Sequence, residues 1–519
     1  MKKILMYMRI SISFLFVLLL LAGCSSSGHR YYFSPANGDD RNDGLSEQNP
    51  FRTLSRARTL CLKPGDAILL AAGEVFNDSL ILENLNGRPG NEIAISSYGG
   101  GRAIIMADKG TAIKIKGGSH VVVKNIRVEG AGRLKGNAGS GVDLYEVHYT
   151  AVDSLEAEGF GWCGVRVTGG SHISITHVYA HDNGFAGINV ESGGRDCAGL
   201  PCSGTKSVYD VYIGYCTAEN NPGSPMVLNN HSGNGILLGG VTRGVIEYCE
   251  AMNNGWDMPR EGNGPVGIWT YMSDSIVIQY CYSHHNKTSP TGADGGGFDL
   301  DGGVTNSVVR WNLSAFNEGG GYGLFQYAGA TEWNNNTIYC NISYLDGKKN
   351  GKAGVFVWCD PYAVPMGTAY IFNNTVINDA GYGCNFQPGS YRGMLFYNNI
   401  FLVGSGEKRM AGGDSLTSTF RHNLYWSQWH QSRNLLQPDA SFDREALIAD
   451  PLLNLPPQGD SLKMDVRFLK EIAWFRPAPG SPVCNAGVNL PGPFPDFTGS
   501  VPAIGTKPSL GAFLCKTKE

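Results

Sequence analysis

The feature that most constrains the fold of this chain is an internal repeat, because a unit that recurs must stack on its own copies to bury its apolar face. From about residue 164, each unit opens with glycine, continues with alternating apolar residues and ends near an asparagine. The openings are GVRV (164), GINV (187), GILL (235), GIWT (267), GFDL (297), GLFQ (323), GVFV (354) and GCNF (383). Where no insertion intervenes, the period is roughly 23 to 32 residues, and no unit has the apolar stripe of a helix.

We therefore predict an all-β fold, a single-stranded right-handed parallel β-helix. Helical repeats lack their pattern here, and propeller blades need longer units with four strands joined by hairpins. A second column supports the register, since Cys216, Cys249 and Cys281 occupy equivalent positions. The following units place asparagine there, at Asn312, Asn341, Asn374 and Asn399. We interpret the column as an internal ladder of buried thiols and amides, because the sequence has no CxxC pair or histidine cluster with zinc spacing.

The composition excludes several other classes of protein. Charged residues make up 17% of the chain and the net charge is -4, so the basic stripe of a nucleic-acid-binding protein is missing. Glycine is frequent, at 71 of 519 residues, but it does not recur at every third position as in collagen. We expect no nucleic-acid partner and a monomer.

The first residues predict export. A positively charged start and an apolar run over 10–21, too short to span a bilayer, are typical of a signal peptide. The run ends in LAGC, which resembles a bacterial lipobox and implies cleavage before Cys24 and a lipid on its sulfur. The mature protein would then be anchored to a membrane of the bacterial cell envelope by its N-terminus. An ordinary signal peptide with a chance cysteine is the alternative, and the side of the outer membrane is left open.

The remaining chain divides by its pattern. We predict a lipoprotein signal peptide over 1–23, a linker over 24–30, an N-terminal cap with the first turns over 31–110, repeats over 111–429, and a closing turn with an irregular tail over 430–519. Within the cap, Phe51 to Cys61 is expected to be an amphipathic helix that covers the open end of the solenoid. Cys197 and Cys202 are close enough in sequence for a local disulfide.

Three stretches carry a resemblance. The opening YYFSPANGDDRNDG, with NPFRTL and LKPGDAILLAAG after it, the repeated strands, and the closing DPLL with APGSPVCNAG are similar to the pectate-lyase-like superfamily of right-handed parallel β-helix proteins. More narrowly, the chain resembles bacterial parallel-β-helix-repeat proteins among exported carbohydrate-active enzymes. The resemblance covers nearly the whole mature chain and implies the fold. It does not imply one chemistry, because the superfamily holds polysaccharide lyases, glycoside hydrolases, epimerases and glycan-binding proteins.

Alternation along each strand predicts two columns of outward side chains. The first column is Arg166, Asn189, Leu237, Trp269, Asp299, Phe325, Phe356 and Asn385, and the second is Thr168, Glu191, Gly239, Tyr271, Asp301, Tyr327, Trp358 and Gln387. Equivalent strands of successive turns, here called rungs, are about 4.8 Å apart. The columns therefore form a ribbon of aromatic side chains with Asp299 and Asp301 at its centre. Aromatic rings stack on the C–H faces of sugars, so a ligand groove is our interpretation, and a ladder covered by the insertions at 192–232 and 252–266 is the alternative.

The stretch GADGGGFDLDGG (292–303) contains three aspartates, which we predict to be catalytic. Asp299 and Asp301 lie two residues apart on one strand, so their Cα atoms are about 6.5–7 Å apart, a spacing that leans towards an inverting glycosidase. Asp294 enters the same rung beside glycines that leave room for a ligand, and its charge would raise a neighbour's pKa. A glycine-rich turn with capping aspartates is the alternative.

The arrangement resembles the three-aspartate sites of β-helix polygalacturonases, although the His-Gly and Arg-x-Lys pattern that flanks those sites is missing here. We predict substrate contacts from Trp269, Tyr271, Phe325, Tyr327, Trp358, Glu191, Glu318 and His284. Glu191 is expected about 14 Å from the aspartates, at a distal sugar.

Three functions remain open. A glycoside hydrolase would use Asp299 and Asp301 as acid and base and needs no cofactor. A polysaccharide lyase of this superfamily would use Asp294, Asp299 and Asp301 as Ca²⁺ ligands with a lysine or arginine base, and the candidates are Lys287, Arg310, Lys352 and Arg260, none of them in an outward column near the aspartates. A lipid-anchored glycan-binding protein would need the aromatic ribbon alone. The identity of the polysaccharide or oligosaccharide is not encoded in any motif.

Overall fold

The computed structural model describes residues 28–192, 208–349, 352–379, 382–387, 389–403, 410–411, 418–427, 443, 445–457, 462–492, 494–503 and 505–515. In these residues, short strands lie in three stacks, and each strand pairs in parallel with strands of neighbouring turns in its own stack. This is the predicted parallel β-helix.

The first stack carries the predicted outward columns. Its strands are Leu80–Asn86, Ile113–Lys124, Val142–Asp153, Cys163–Thr176, Ala186–Glu191, Asn234–Gly239, Val266–Tyr271, Gly296–Leu300, Tyr322–Gln326, Ala353–Cys359, Tyr382–Phe386 and Met410–Ala411.

The second stack shares the three long strands of the first, from Ile113 to Thr176, which run through both. Its other strands are Arg30–Phe33, Ala67–Ala71, Ile93–Tyr98, Val208–Gly214, Val241–Glu247, Asp274–Gln279, Val308–Arg310, Asn336–Tyr339, Ala369–Phe372, Met394–Tyr397 and Thr419–Arg421. The third stack is Val75–Phe76, Ala103–Ala107, Ile126–Gly130, Glu156–Glu158, Tyr179–His181, Thr217–Glu219, Glu250–Met252, Tyr282–His284, Leu313–Ala315, Ile342–Tyr344, Thr375–Asn378, Ile400–Val403 and Leu424–Trp426.

The core is a set of columns of apolar side chains. Along the first stack, paired residues point inward and are almost fully buried, in the order Val165, Ile188, Ile236, Ile268, Phe298, Tyr322, Val355 and Cys384. Because side chains alternate across a strand, the neighbours of these residues must point away from the core. The two-residue period of the sequence therefore places the outward columns on the outer face of the first stack.

Amide ladders join the turns between the second and third stacks. Asn341 is representative, because its side-chain nitrogen donates to the Val309 carbonyl at 2.9 Å and to Asn374 Oδ1 at 3.0 Å, while its own Oδ1 accepts from Asn312. The ladder continues through Asn374, Asn399 and Asn423. Cys216, Cys249 and Cys281 are buried thiols that precede it, so the predicted ladder is present.

A second ladder follows the third stack. Each side chain accepts a hydrogen bond from the preceding member, in the order Asn183, Asn221, Asn254, Asn286, Asn317 and Asp346. Burial of a backbone N–H or C=O without a partner is costly, and these amides supply the partners at the turns.

The predicted helical cap is not confirmed. A six-residue 3-10 helix, Leu54–Thr59, stands where a helix from Phe51 to Cys61 was expected. Phe51 forms a parallel bridge with Phe33 and donates its N–H to the Tyr32 carbonyl. Its backbone therefore belongs to the sheet. Too few residues then remain for a stable α-helix.

The C-terminal tail lies along the flank of the β-helix. Tyr282 donates to the Leu462 carbonyl at 3.3 Å, and the Trp311 indole donates to the Pro495 carbonyl at 3.2 Å. A 3-10 helix, Val466–Glu471, and a third, Arg133–Lys135, complete the helical segments of the described chain. The tail therefore does more than close the last turn.

A disulfide that the sequence analysis missed fastens this tail. It joins Cys484 and Cys515, with Cα atoms 5.5 Å apart. The predicted disulfide pair Cys197 and Cys202, and the predicted lipidation site Cys24, lie outside the described residues. Over the part of the chain described, none of the helices is both long enough and apolar enough to cross a membrane.

We predict that Asn341→Ala lowers the free energy of unfolding by about 3 kcal/mol, because it leaves the Val309 carbonyl and the Asn312 amide buried without partners. Urea unfolding followed by circular dichroism measures the change. Asn37→Ala is the control, since Asn37 is exposed. Equal midpoints for the two variants would show that the ladder contributes no stability.

Candidate active site

A cleft of about 740 Å³ opens on the outer face of the first stack. Eight of the predicted site residues line it: Asp294, Asp299, Asp301, Trp269, Tyr271, Phe325, Tyr327 and Trp358. The cleft thus brings together all three aspartates and all five predicted aromatic contacts. Its walls also include Asn229, Asn230, His231, Arg260, Asn263 and Lys352, which sequence analysis did not place there.

One turn has a different register from the predicted one. Asp299 pairs with Trp269 on one side and with Gly323 on the other, and Gly323 pairs with Phe356. Phe325 pairs with Trp358, so it belongs to the second column rather than the first, and Tyr327 lies beyond the strand. The cause is a run of glycines.

The opening glycine of this turn had several candidates, since glycine occupies positions 319, 320, 321 and 323. Tyr322 pairs with Phe298 and points inward, with the two rings stacked at 5.3 Å. Gly321 is therefore the equivalent of Gly297, two residues earlier than predicted. A shift of two residues keeps the inward and outward faces but moves each side chain along the strand.

Asp294 lies on the loop that enters the strand Gly296–Leu300. Its Oδ2 accepts a hydrogen bond from the Gly264 amide at 2.7 Å, and its Oδ1 lies 4.0 Å from Lys352 Nζ. Burial raises the pKa of this carboxyl, while the Lys352 ammonium and the Gly264 amide oppose the rise. Among the three aspartates, Asp294 is thus the one held closest to a cation.

Asp299 is the most deeply buried of the three, with 3% of its surface exposed. Its Oδ1 has no hydrogen-bond partner within the described chain. Burial raises its pKa well above the ordinary value, and the charges of Asp301 and Asp294 raise it further. The surroundings of Asp299 therefore favour its protonated form, although the nearby Lys352 ammonium opposes the rise in pKa.

Asp301 is partly exposed at the end of the same strand. Burial raises its pKa to about 7, the Gly302 amide that donates to its Oδ1 at 2.7 Å opposes the rise, and the charge of Asp294 adds to it. A carboxyl with this pKa can gain or lose a proton near neutral pH, as a general acid or base must.

Two of the basic residues considered as a lyase base, Lys352 and Arg260, line the cleft, although neither belongs to an outward column. Lys352 is 9% exposed, and its Nζ lies 3.8 Å from the centre of the Phe356 ring. Burial lowers the pKa of Lys352, and the neighbouring carboxylates oppose that change. Arg260 comes from the insertion at 252–266, and burial lowers its pKa as well.

The aromatic residues form walls rather than an open ribbon. Trp269 is 3% exposed, donates its indole N–H to Asn234 Oδ1 at 3.1 Å, and meets the ring of His231 edge-on at 4.8 Å. Phe325 packs edge-on against Phe356 at 5.6 Å. Tyr271, Tyr327 and Trp358 are more exposed. Residues of both insertions, 192–232 and 252–266, form part of the walls. The outer face thus carries a groove, as predicted, and the insertions cover part of it, as in the alternative.

The glycines before Asp299 have a packing role. A Cβ on Gly297 would lie 2.2 Å from Ser314 Oγ, and one on Gly296 would lie 2.8 Å from the Gly320 carbonyl oxygen. Gly295 has φ +84°, a conformation that favours glycine. Close contact with following residues therefore requires glycine at positions 296 and 297, and the backbone conformation favours it at position 295.

Three predicted contacts lie away from the cleft lining. Glu191 forms an ion pair with Arg166 at 2.5 Å. Glu318 accepts from the Thr288 amide at 3.0 Å and steadies the segment before Asp294. His284 belongs to the third stack, where it stacks on Tyr282 at 4.0 Å and contacts Glu250 at 3.0 Å.

The three aspartates do not form a metal-binding group. Within the described residues, the cluster that brings its ligand atoms within 4.8 Å of one another is Glu156, Glu158 and His181 in the third stack. Oxygens of Asp294 and Asp301 are already engaged by backbone amides. Joint binding of Ca²⁺ by the three carboxylates therefore has no support from their positions in this structure.

Comparison with known proteins gives one curated relative and several structures. No family model matches the chain. The lacto-N-biosidase of Bifidobacterium longum subsp. longum is 24% identical over 611 aligned residues, which cover 95% of this chain and 36% of the relative. The chain therefore spans about a third of that protein's length.

Two solved structures illustrate the likeness in fold. The GH136 lacto-N-biosidase from Eubacterium ramulus superimposes with a TM-score of 0.50 and 19% identity, over 66% of this chain and 64% of its own. A variant of the PL6 alginate lyase AlyGC gives a TM-score of 0.52 and 14% identity, over 76% of this chain and 52% of its own. Both similarities support the parallel β-helix.

We predict that Asp299→Asn stabilises the protein increasingly as pH rises. Above about pH 4, the unfolded chain ionises this carboxyl, whereas the folded protein keeps it protonated, so wild-type stability falls by up to about 1.4 kcal/mol per pH unit until the folded pKa is reached. Urea unfolding of both proteins at pH 5 and pH 7 measures the effect.

Asp108→Asn, at an exposed carboxyl, is the control for this comparison and should show no such trend. If the difference between wild type and Asp299→Asn were the same at both pH values, Asp299 would be ionised in the folded state, contrary to its burial.

Proposed function

We propose that this protein is a glycoside hydrolase that cleaves an oligosaccharide or polysaccharide in the aspartate cleft. The observation that carries the proposal is the meeting of Asp294, Asp299 and Asp301 in one aromatic-walled cleft, with the pKa of Asp301 near 7. Glycosidases commonly use two carboxyl groups, one protonated and one ionised, on either side of the scissile bond. The likeness to a lacto-N-biosidase supports the same class of reaction.

The reacting pair in this proposal is Asp294 and Asp301, rather than Asp299 and Asp301. Asp294 and Asp301 are partly exposed, whereas Asp299 is 3% exposed. Burial and the charges of Asp301 and Asp294 also favour the protonated form of Asp299, so this carboxyl is less suited than Asp301 to give up a proton. The Cα spacing between Asp299 and Asp301, which favoured an inverting glycosidase, therefore does not indicate whether the reaction inverts or retains configuration.

The environments of the pair suggest their roles. Asp301 keeps a proton up to about pH 7 and is placed to donate it to the glycosidic oxygen as the bond breaks. Asp294, beside the Lys352 ammonium, is placed to act as the carboxylate, either activating water or attacking the sugar carbon. The rings of Tyr271 and Trp358 offer apolar faces for flanking sugars.

Lys352 favours one alternative, a polysaccharide lyase. A buried ammonium with a lowered pKa can serve as the base that removes a proton next to a uronate carboxyl. Lys352 lies at the cleft beside Asp294, so this chemistry is geometrically available without calcium. The ion pair with Asp294 weighs against it, because a neighbouring carboxylate favours the protonated form of the ammonium.

We predict that purified protein from residue 28 onward releases p-nitrophenol from an aryl glycoside of lacto-N-biose, the sugar that gives the two relatives their name. Asp301→Asn and Asp294→Asn should each lower kcat/KM by about 10³-fold or more, because each removes one member of the pair. Wild-type activity should fall as pH rises through about 7, where Asp301 loses its proton.

Asp108→Asn serves as the control and should retain wild-type kinetics. A panel of uronate-containing polysaccharides, followed by absorbance of unsaturated products, tests the lyase. If unsaturated products form, and if their absorbance is lost in Lys352→Met but retained in Asp301→Asn, the protein is a lyase and not a hydrolase. Binding of a glycan without any turnover would instead indicate a glycan-binding protein.

We also propose that the protein is a lipoprotein of the bacterial cell envelope, on the basis of the LAGC segment. Cys24→Ala should abolish incorporation of a clickable fatty acid when the full-length chain is expressed in a bacterial host, because the acylated thiol is lost. Labelling that persists in the variant, or a wild-type protein that is never labelled, would contradict the lipobox interpretation.

A further inference from the structure

Asp299 has no role in the proposed proton transfers, yet it lines the cleft between the turns that carry Trp269 and Gly323. Its Oδ1 is buried and has no hydrogen-bond partner among the described residues. Nearly all buried polar atoms in folded proteins have a partner, so an exception in a binding cleft indicates a group that awaits a ligand. The carboxyl also lines the cleft together with Trp269 and Phe325.

The neighbouring turns fix an apolar surrounding for this carboxyl. Trp269 pairs with Asp299 on the preceding turn, and Gly323 pairs with it on the following turn. A Cβ on Gly323 would lie 2.8 Å from the Phe325 ring and 3.0 Å from Asp299 Oδ1. Glycine at 323 therefore lets the Phe325 ring fold back towards the carboxyl, which then stands between two aromatic side chains.

The Lys352 ammonium lies closer to Asp294 than to Asp299, although its charge also acts to lower the pKa of Asp299. Lys352 contacts Asp294 Oδ1 at 4.0 Å and the Phe356 ring at 3.8 Å, and no ion pair joins a described cation to Asp299. An unpaired carboxylate in an apolar surrounding is costly, and a protonated carboxyl avoids that cost. The raised pKa of Asp299 agrees with this state.

We propose that Asp299 is a neutral hydrogen-bond donor that holds an uncharged acceptor oxygen of the bound sugar, a hydroxyl or an acetamido carbonyl, between Trp269 and Phe325. This inference rests on the proposed function for the identity of the ligand class. In it, Asp299 selects and positions the sugar, whereas Asp294 and Asp301 carry out the chemistry. A site that contains a buried donor rejects sugars without a matching acceptor, because the donor would then remain unpaired.

Two substitutions separate this role from acid or base catalysis. Asp299→Asn keeps the shape and an N–H donor, so kcat/KM should fall less than about 10-fold. Asp299→Ala removes the donor, so kcat/KM should fall about 100-fold, mainly through KM, with the pH profile unchanged. A loss of about 10³-fold in kcat for Asp299→Asn, equal to that of Asp301→Asn and with an altered pH profile, would overturn the proposal.

The acceptor is identified with two p-nitrophenyl glycosides, one of lacto-N-biose and one of its analogue with a hydroxyl in place of the acetamido group. If the acetamido carbonyl is the acceptor, wild type prefers the first substrate and Asp299→Ala loses that preference. If a hydroxyl is the acceptor, Asp299→Ala lowers kcat/KM by the same factor for both substrates. A merely structural role would lower kcat for both substrates in proportion to loss of folded protein, which circular dichroism detects, and would overturn the proposal.

Failure of the proposed function is distinguishable from failure of this inference. If wild type cleaves neither glycoside, calorimetric titration with lacto-N-biose still tests the donor, since Asp299→Ala should bind about 10-fold to 100-fold more weakly than wild type. Equal affinities for the two proteins, or no binding to either, would overturn the inference.

Discussion

Each strand of the β-helix is completed by hydrogen bonds to the turns before and after it, and the whole structure depends on keeping those turns in register. Backbone pairing alone does not fix the corners, where the chain leaves one stack and enters the next. The buried amides solve this, because a single side chain such as Asn341 satisfies a carbonyl on one turn and an amide oxygen on another. From Asn312 onward, side-chain hydrogen bonds thus reinforce the register at this corner.

This registration is also what assembles the cleft. Asp299, Trp269 and Gly323 come from three different turns, and they meet because their strands are paired residue by residue. The electrostatics follow from the same packing, since burial rather than any single neighbour is the largest cause of the raised pKa values of all three aspartates. A rigid scaffold holds three acids together at a cost in desolvation, and Lys352 offsets part of that cost for Asp294.

Much of this could be predicted from local periodicity. The alternation of GFDL and its counterparts gave the fold, the outward direction of Asp299 and Asp301, and the amide ladder, because each depends on a short repeating pattern. The predicted column of Phe325 was wrong, because four nearby glycines made the first residue of that repeat ambiguous. The positions of Lys352 and Arg260 at the cleft, and the disulfide between Cys484 and Cys515, could not be predicted, because the long-range folding of insertions and tail determines them and no sequence period encodes that folding.

The contacts of the tail have a consequence for how such a chain can change over time. Solenoids generally grow or shrink by gain or loss of whole repeats, since each repeat touches only its neighbours. Here the tail reaches back to Tyr282 and Trp311, so an added or deleted repeat after those turns would displace its anchoring points by about 4.8 Å. Gain or loss of whole repeats is therefore compatible with the tail contacts only in the turns before Tyr282. The number of repeats that carry Asp299 and Lys352 is fixed by those contacts.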